Sequence, residues 1–270
     1  MKFVIALAAA ICAATPALAQ EEAPPKPITV SGSIALVSDY RFRGVSQSDK
    51  NAAVQGGLTA THESGFYAGL WGSNLAGWGT FGGANMELDV IGGYKRSFGG
   101  TTVDVGLTWY MYPGGASKTD FAEPYVKVSH TLGPVSALIG VAYAPEQQAL
   151  GNWSNTPESR IGDKEDNLYI WGDASVGVPT TALTVKGHVG YSRGNPGLGP
   201  NGTSVAPTGE YVDYLVGADY VIAPVTLGIA FVGTDISRRD SAYLLPNFSS
   251  TKDGRSIASG KVLFSVSAGF

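Results

Sequence analysis

Three features of the sequence together predict an all-β chain: a transmembrane antiparallel up-and-down β-barrel of about twelve strands, with both termini on the periplasmic side. Apolar and polar residues alternate with period two, the connections alternate between short and long, and nearly all charge falls on one face of the strands. The alternation is clearest where Val103, Val105, Leu107, Trp109 and Met111 interleave with Thr102, Asp104, Gly106, Thr108 and Tyr110. It recurs where Leu183, Val185, Val189 and Tyr191 interleave with Thr184, Lys186, His188 and Ser192. Segments of this kind run about ten residues, the length a tilted strand needs to cross a bilayer.

The strands are predicted at 30–42, 52–62, 65–73, 85–96, 101–112, 121–131, 134–144, 165–177, 181–192, 210–222, 224–235 and 257–270. Short connections at Glu63-Ser64, Ser97 to Gly100, Leu132-Gly133, Val178 to Thr180 and Ala223 alternate with long ones at 43–51, 74–84, 113–120, 145–164, 193–209 and 236–256. This is the rhythm of periplasmic turns and extracellular loops. Among the long loops, Gly77 to Gly83 lacks the Lys-Ser/Thr ending of a phosphate loop and is expected to be a flexible connection.

The faces agree with that rhythm. The apolar parity is expected to carry no charge except Arg96, at a strand end where it reaches the headgroups. Asp39, Arg41, Arg43, Glu87, Asp89, Lys95, Asp104, Glu123, Lys127, Asp173, Lys186, Asp213, Asp219 and Lys261 fall on the other parity, with Ile91, Leu215 and Leu263 as apolar exceptions there. Charge facing lipid costs about 2–4 kcal/mol near the midplane, which gives the separation a physical cause. A soluble sandwich or lipocalin-like barrel would instead turn its apolar parity inward.

At the start, Met1-Lys2, an apolar run from Phe3 to Ala14, and Ala17-Leu18-Ala19 have the three parts of a secretory signal peptide, with cleavage expected after Ala19. The single cysteine, Cys12, lies within it. A Pro-rich periplasmic segment, 20–29, then leads into a barrel over 30–270. The formal net charge of −4 argues against a nucleic-acid partner. The last strand alternates Val262, Phe264, Val266, Ala268 and Phe270 with Lys261, Ser265, Ser267 and Gly269. It resembles the terminal signal that outer-membrane barrels present to their assembly machinery.

The segment Ser38-Asp39-Tyr40-Arg41-Phe42-Arg43-Gly44-Val45-Ser46-Gln47-Ser48, followed by Val54-Gln55-Gly56-Gly57 and Gly65-Phe66-Tyr67-Ala68-Gly69, resembles the opening of the TorF family of proteobacterial outer-membrane porins. The resemblance is strongest over residues 30–75. It implies a barrel and a channel role, and brings no catalytic residues with it.

No enzyme site is expected. His62 and His130 sit at strand ends, and His188 points inward with Ser192 four residues on, roughly 13 Å along a strand and too far for a nucleophile and its base. Asp163, Glu165 and Asp166 read as a solvated cluster rather than a calcium site, and no cofactor or metal is expected. The functional expectation is an outer-membrane channel for small polar or charged solutes, with membrane lipid and the assembly machinery as its partners. The alternative is a non-conducting structural or surface-binding barrel. The expected pore-lining constriction sets Arg41, Arg43 and Lys261 against Glu87, Asp89 and Glu123 across the lumen.

Overall fold

A computed structural model describes residues 27–157, 159–196, 204–243 and 248–270. The predicted leader, 1–19, and all but the last three residues of 20–29 lie outside the described residues. The strands are β1 (Ile28–Val37), β2 (Arg41–Phe42), β3 (Val45–Ser46), β4 (Ala53–His62), β5 (Phe66–Asn74), β6 (Met86–Phe98), β7 (Thr101–Met111), β8 (Phe121–Leu132), β9 (Val135–Gln147), β10 (Glu165–Gly177), β11 (Leu183–Arg193), β12 (Glu210–Ile222), β13 (Val225–Thr234) and β14 (Lys261–Gly269). One short helix, α1 (Arg238–Tyr243), lies in the last long connection. Twelve strands close into an antiparallel barrel in which each pairs with its sequence neighbour, and β1 pairs with β14 to shut the ring. The two remaining strands, β2 and β3, form a separate hairpin.

The alternation forces this closure. Ile34, Leu36, Leu58, Leu70, Val90, Val105, Ile139, Val189, Val216, Ile229 and Phe264 all point outward and are exposed, so the wall presents a continuous apolar surface to its surroundings. A lipid phase accepts that surface, and a closed ring leaves no unpaired strand edge within it. On the inner face, aromatic rings lie flat across glycines of the adjacent strand. A Cβ on Gly106 would meet the Tyr125 hydroxyl at 2.5 Å, and one on Gly140 would meet the Trp171 ring at 2.3 Å. Part of the glycine content therefore makes room for rings against the lumen wall.

All twelve predicted strands are present, with β10 and β12 ending where the pattern places them. Two ends are corrected. The first barrel strand stops at Val37, so Arg41 and Arg43 are not wall residues, and the last begins at Lys261 rather than at 257. The outer face also holds more charge than Arg96. Asp166, Arg193 and Glu210 sit there at the ends of strands nearest the long loops. The Tyr143 hydroxyl donates to Asp166 (2.9 Å), Arg193 lies 3.7 Å from the same carboxylate, and Arg193 is the register partner of Glu210. At strand ends these groups reach water or headgroups, which removes the cost a mid-strand charge would meet.

The described parts of the long connections pack against one another. Val45, Trp78, Phe81, Leu150, Val205, Phe248 and Ile257 are buried together with Phe121 and Tyr211 from the adjoining strand ends. Backbone bonds tie loop to loop: Ser46 N to Ile257 O (3.0 Å), Ala76 N to Gln47 O (3.0 Å), Ala116 N to Phe81 O (3.0 Å) and Val205 N to Ala149 O (2.9 Å). The stretch expected to be a flexible loop, Gly77 to Gly83, is thus corrected. Gly77–Thr80 forms a 3-10 turn with Trp78 buried, and Phe81 packs edge-on against Trp78 and Tyr112.

Candidate functional site: the lumenal hairpin

The segment after β1 turns into the lumen. Phe42 and Val45 pair across a two-residue turn in which Arg43 (φ 47°) and Gly44 (φ 78°) both take positive φ. That combination suits a tight hairpin, because its twist matches the strands it joins. The tip is wedged against the wall. A Cβ on Gly44 would meet Thr234 Cγ2 at 2.5 Å and Asp213 Cβ at 2.9 Å, so the close approach needs glycine as much as the backbone angle does.

Arg43 reaches from this tip to the opposite side of the barrel. In the ring order β9 stands directly across from β1, and Arg43 binds the two strands flanking β9. One guanidinium nitrogen donates to Glu123 Oε1 of β8 at 2.5 Å, and the other donates to Asn167 Oδ1 of β10. The guanidinium also lies over the rings of Tyr169 (4.2 Å) and Phe42 (4.7 Å). Both side chains of the Arg43–Glu123 pair are only 5% exposed. A charge-assisted hydrogen bond in such a place is strong, and it is costly to break from one side only.

The remaining expected constriction residues divide between two clusters. Arg41 Nε donates to Asp39 (2.9 Å), and Lys261 Nζ lies 3.9 Å from the same carboxylate, so these two cations converge on the hairpin's base. Glu87 accepts a hydrogen bond from the Tyr40 hydroxyl (3.0 Å). Asp89 is the register partner of Tyr110, whose hydroxyl donates to Glu123 (3.2 Å). Asp89 is buried, and its Oδ1 has no hydrogen-bond partner among the described residues. The structure therefore brings Arg43, Glu123, Asp89 and Glu87 to one region, and holds Arg41 and Lys261 apart with Asp39. Of the expected opposing pairs, Arg43 and Glu123 are in direct contact.

Sequence reasoning missed Tyr40, Asn167 and Tyr169, and put Asp213 on the lumenal face without joining it to the site. A signal for the hairpin existed in Arg43-Gly44 between two β-formers, but nothing local marks its distant partners. A second polar network lies along the wall from Tyr169, whose hydroxyl bonds Asp213 (3.0 Å) and His188 Nε2 (2.9 Å). The His188 ring in turn meets Asp213 (3.0 Å) and Asp173 (2.7 Å). Lys127 pairs with Asp104 and Lys186 with Asp219 on the same inner face. His188 is thus engaged by carboxylates and a phenol, and Ser192 is not among its partners.

Beside β12–β14 lies a cavity of about 140 Å³, lined by Val37, Asp39, Lys186, Leu215, Val232 and Leu263 among others. The inward leucines read from the sequence line this space. Ile91, the third apolar exception, packs against the buried cluster of Tyr125, Ala142 and Tyr169.

Among solved structures, the chain is similar to the KdgM porin (8% identity, TM-score 0.52, 89% of this chain and 99% of that chain). It is also similar to a membrane protein from a study of in-meso crystallization (9% identity, TM-score 0.50, 89% and 83%). An outer-membrane channel from Pseudomonas putida F1 aligns over 94% of this chain and 99% of its own, at 10% identity and a TM-score of 0.45. At these identities the likeness to the first two shows the fold alone. No curated protein matches the sequence. Residues 21–270 match the family described as bacterial protein of unknown function (Gcw_chp), and the chain belongs to that family.

Proposed function

We propose that the chain is an outer-membrane channel for small polar or charged solutes of a Gram-negative bacterium, narrowed from within by the hairpin 41–46. The observation that carries this reading is how the lumen is occupied. Polar and charged contacts line it, and the element crossing it meets the far wall through Arg43, in contacts that water can replace. A permanently plugged barrel can have an equally polar interior, so the weight of this reading falls on the hairpin, a separate two-stranded element outside the ring that meets the far wall through side-chain contacts. The opening segment's resemblance to the TorF family points the same way. In this reading the leader is removed after Ala19, and the termini and short turns face the periplasm. The long loops face outside.

The burial of Val45, Leu150, Phe248 and Ile257 under the loops favours a second reading, a barrel that stays closed and serves as a structural or surface-binding element. Planar-bilayer recording of the refolded chain separates the two. The channel reading expects discrete openings from the wild type and larger ones once the hairpin is removed. A barrel that stays electrically silent in both forms is structural. Single cysteines at the exposed Asn155 and Gly133 test sidedness in intact cells. An impermeant thiol reagent should label the first and spare the second, and the reverse pattern would invert the topology.

A further inference from the structure

We propose that the place now filled by the Arg43 side chain is a binding site for guanidinium-bearing organic cations, and that the hairpin carries a tethered copy of its own ligand. The inference rests on the channel reading for its meaning in transport. The binding site itself can be tested without any current.

The argument begins with what each wall residue supplies. Glu123 offers a carboxylate oxygen to one guanidinium nitrogen, and Asn167 offers an amide oxygen to another. The centre of the Tyr169 ring lies 4.2 Å from the guanidinium carbon. A planar cation is therefore gripped at its edge by two acceptors on separate strands and covered on a face by an aromatic ring. All three partners belong to the barrel wall, and only Phe42 comes from the hairpin. When the hairpin leaves, the wall part of the site remains, and the cation and Phe42 are removed together.

The surroundings then favour a replacement cation. Asp89 Oδ1 is buried without a hydrogen-bond partner among the described residues, on the strand face that also carries Glu87. Tyr110 links this face to Glu123. Three carboxylates thus line one side of the lumen, and Arg43 is the cation that the structure pairs with Glu123. A solute bearing a guanidinium at the end of a short chain would meet the same acceptors and the same ring. Sodium or potassium would gain the carboxylate alone, because a spherical ion cannot use the two-strand fork.

The test uses Arg43→Ala and Arg43→Gly barrels purified in detergent, with heat-modifiable gel migration confirming assembly, and ethylguanidinium chloride as the probe in calorimetric titration. Both variants should bind the probe saturably, and the wild type should not, since its own side chain holds the site. Adding Glu123→Gln to Arg43→Ala should weaken binding at least tenfold, and potassium at equal concentration should not compete. In bilayers, the probe should return the Arg43→Ala channel to its low-current state. Absence of binding to both Arg43 variants, or equal binding with and without Glu123→Gln, would overturn the inference. Binding without any current in either form would keep the site and remove the channel reading.

Discussion

Replacing Arg43 with alanine is expected to raise the mean current through the refolded barrel by at least tenfold. While the hairpin is docked, the truncation leaves the Glu123 carboxylate and the Asn167 amide without their partner in a place only 5% exposed. Removing one member of a buried pair costs about 3–5 kcal/mol, because the other charge is left stranded. That cost falls on the docked state, since Glu123 is hydrated once the hairpin withdraws. At about 1.4 kcal/mol per factor of ten, the docked-to-undocked ratio should fall by roughly a hundredfold to several thousandfold. The lost contact with the Tyr169 face adds to this. Gly44→Val should act in the same direction by a separate route, because its side chain would collide with Thr234 and Asp213 at a backbone angle that disfavours it. Arg43→Lys should fall between, keeping the charge and losing the planar fork. Single-channel recording reads all three. An unchanged current in Arg43→Ala would show that this contact does not hold the hairpin.

Deleting Phe270 is expected to lower the yield of assembled barrel severely. The seam between β1 and β14 has five register pairs, Ser33 to Val37 against Gly269 to Ser265, whereas β1 and β4 share ten. Phe270 extends that short seam by two further backbone bonds, from Gly32 N to Phe270 O (2.8 Å) and from Phe270 N to Gly32 O (3.0 Å). Its ring covers Gly32, where an added Cβ would lie 2.3 Å from the ring edge. In lipid each unpaired backbone group costs several kcal/mol, so the loss falls on the weakest junction of the ring. Gly32→Leu keeps the final residue and displaces the ring, and should give a milder defect. The assembled fraction on unheated gels measures both. An unaltered fraction after deletion would mean that closure does not depend on this pair.

The barrel was legible because its cause is local. Each strand carries its own apolar face, and the limits of β10 and β12 follow from Glu165, Gly177, Glu210 and Ile222 marking where alternation begins and ends. The site was legible only in part. Parity alone put Glu87, Asp89 and Glu123 on the lumen side, and they are buried there. Parity could not stop β1 at Val37, since Asp39, Arg41 and Arg43 continue the alternation as though the strand went on. The chain leaves the wall there because the polar base of the hairpin is satisfied within itself, with Ser46 and Ser48 donating to Asp39. The partners of Arg43 lie 80 and 124 residues away, and no local pattern announces a contact at that range. The packed loop cap did leave a trace, since Trp78, Phe81, Leu150, Phe248 and Ile257 are too apolar for loops that only meet water.

The central claim, that the lumen is the conducting path and the hairpin its plug, is tested most directly by restoring the tip's cation chemically. In an Arg43→Cys barrel the thiol takes the place from which Arg43 reaches Glu123. The chain's own cysteine, Cys12, falls in the predicted leader and would not interfere. Current through the Arg43→Cys barrel should be high, fall several-fold once the thiol carries an aminoethyl group through a mixed disulfide, and rise again on reduction, while a neutral methyl disulfide at the same thiol should leave it high. Equal currents before and after complete aminoethyl modification would contradict the account.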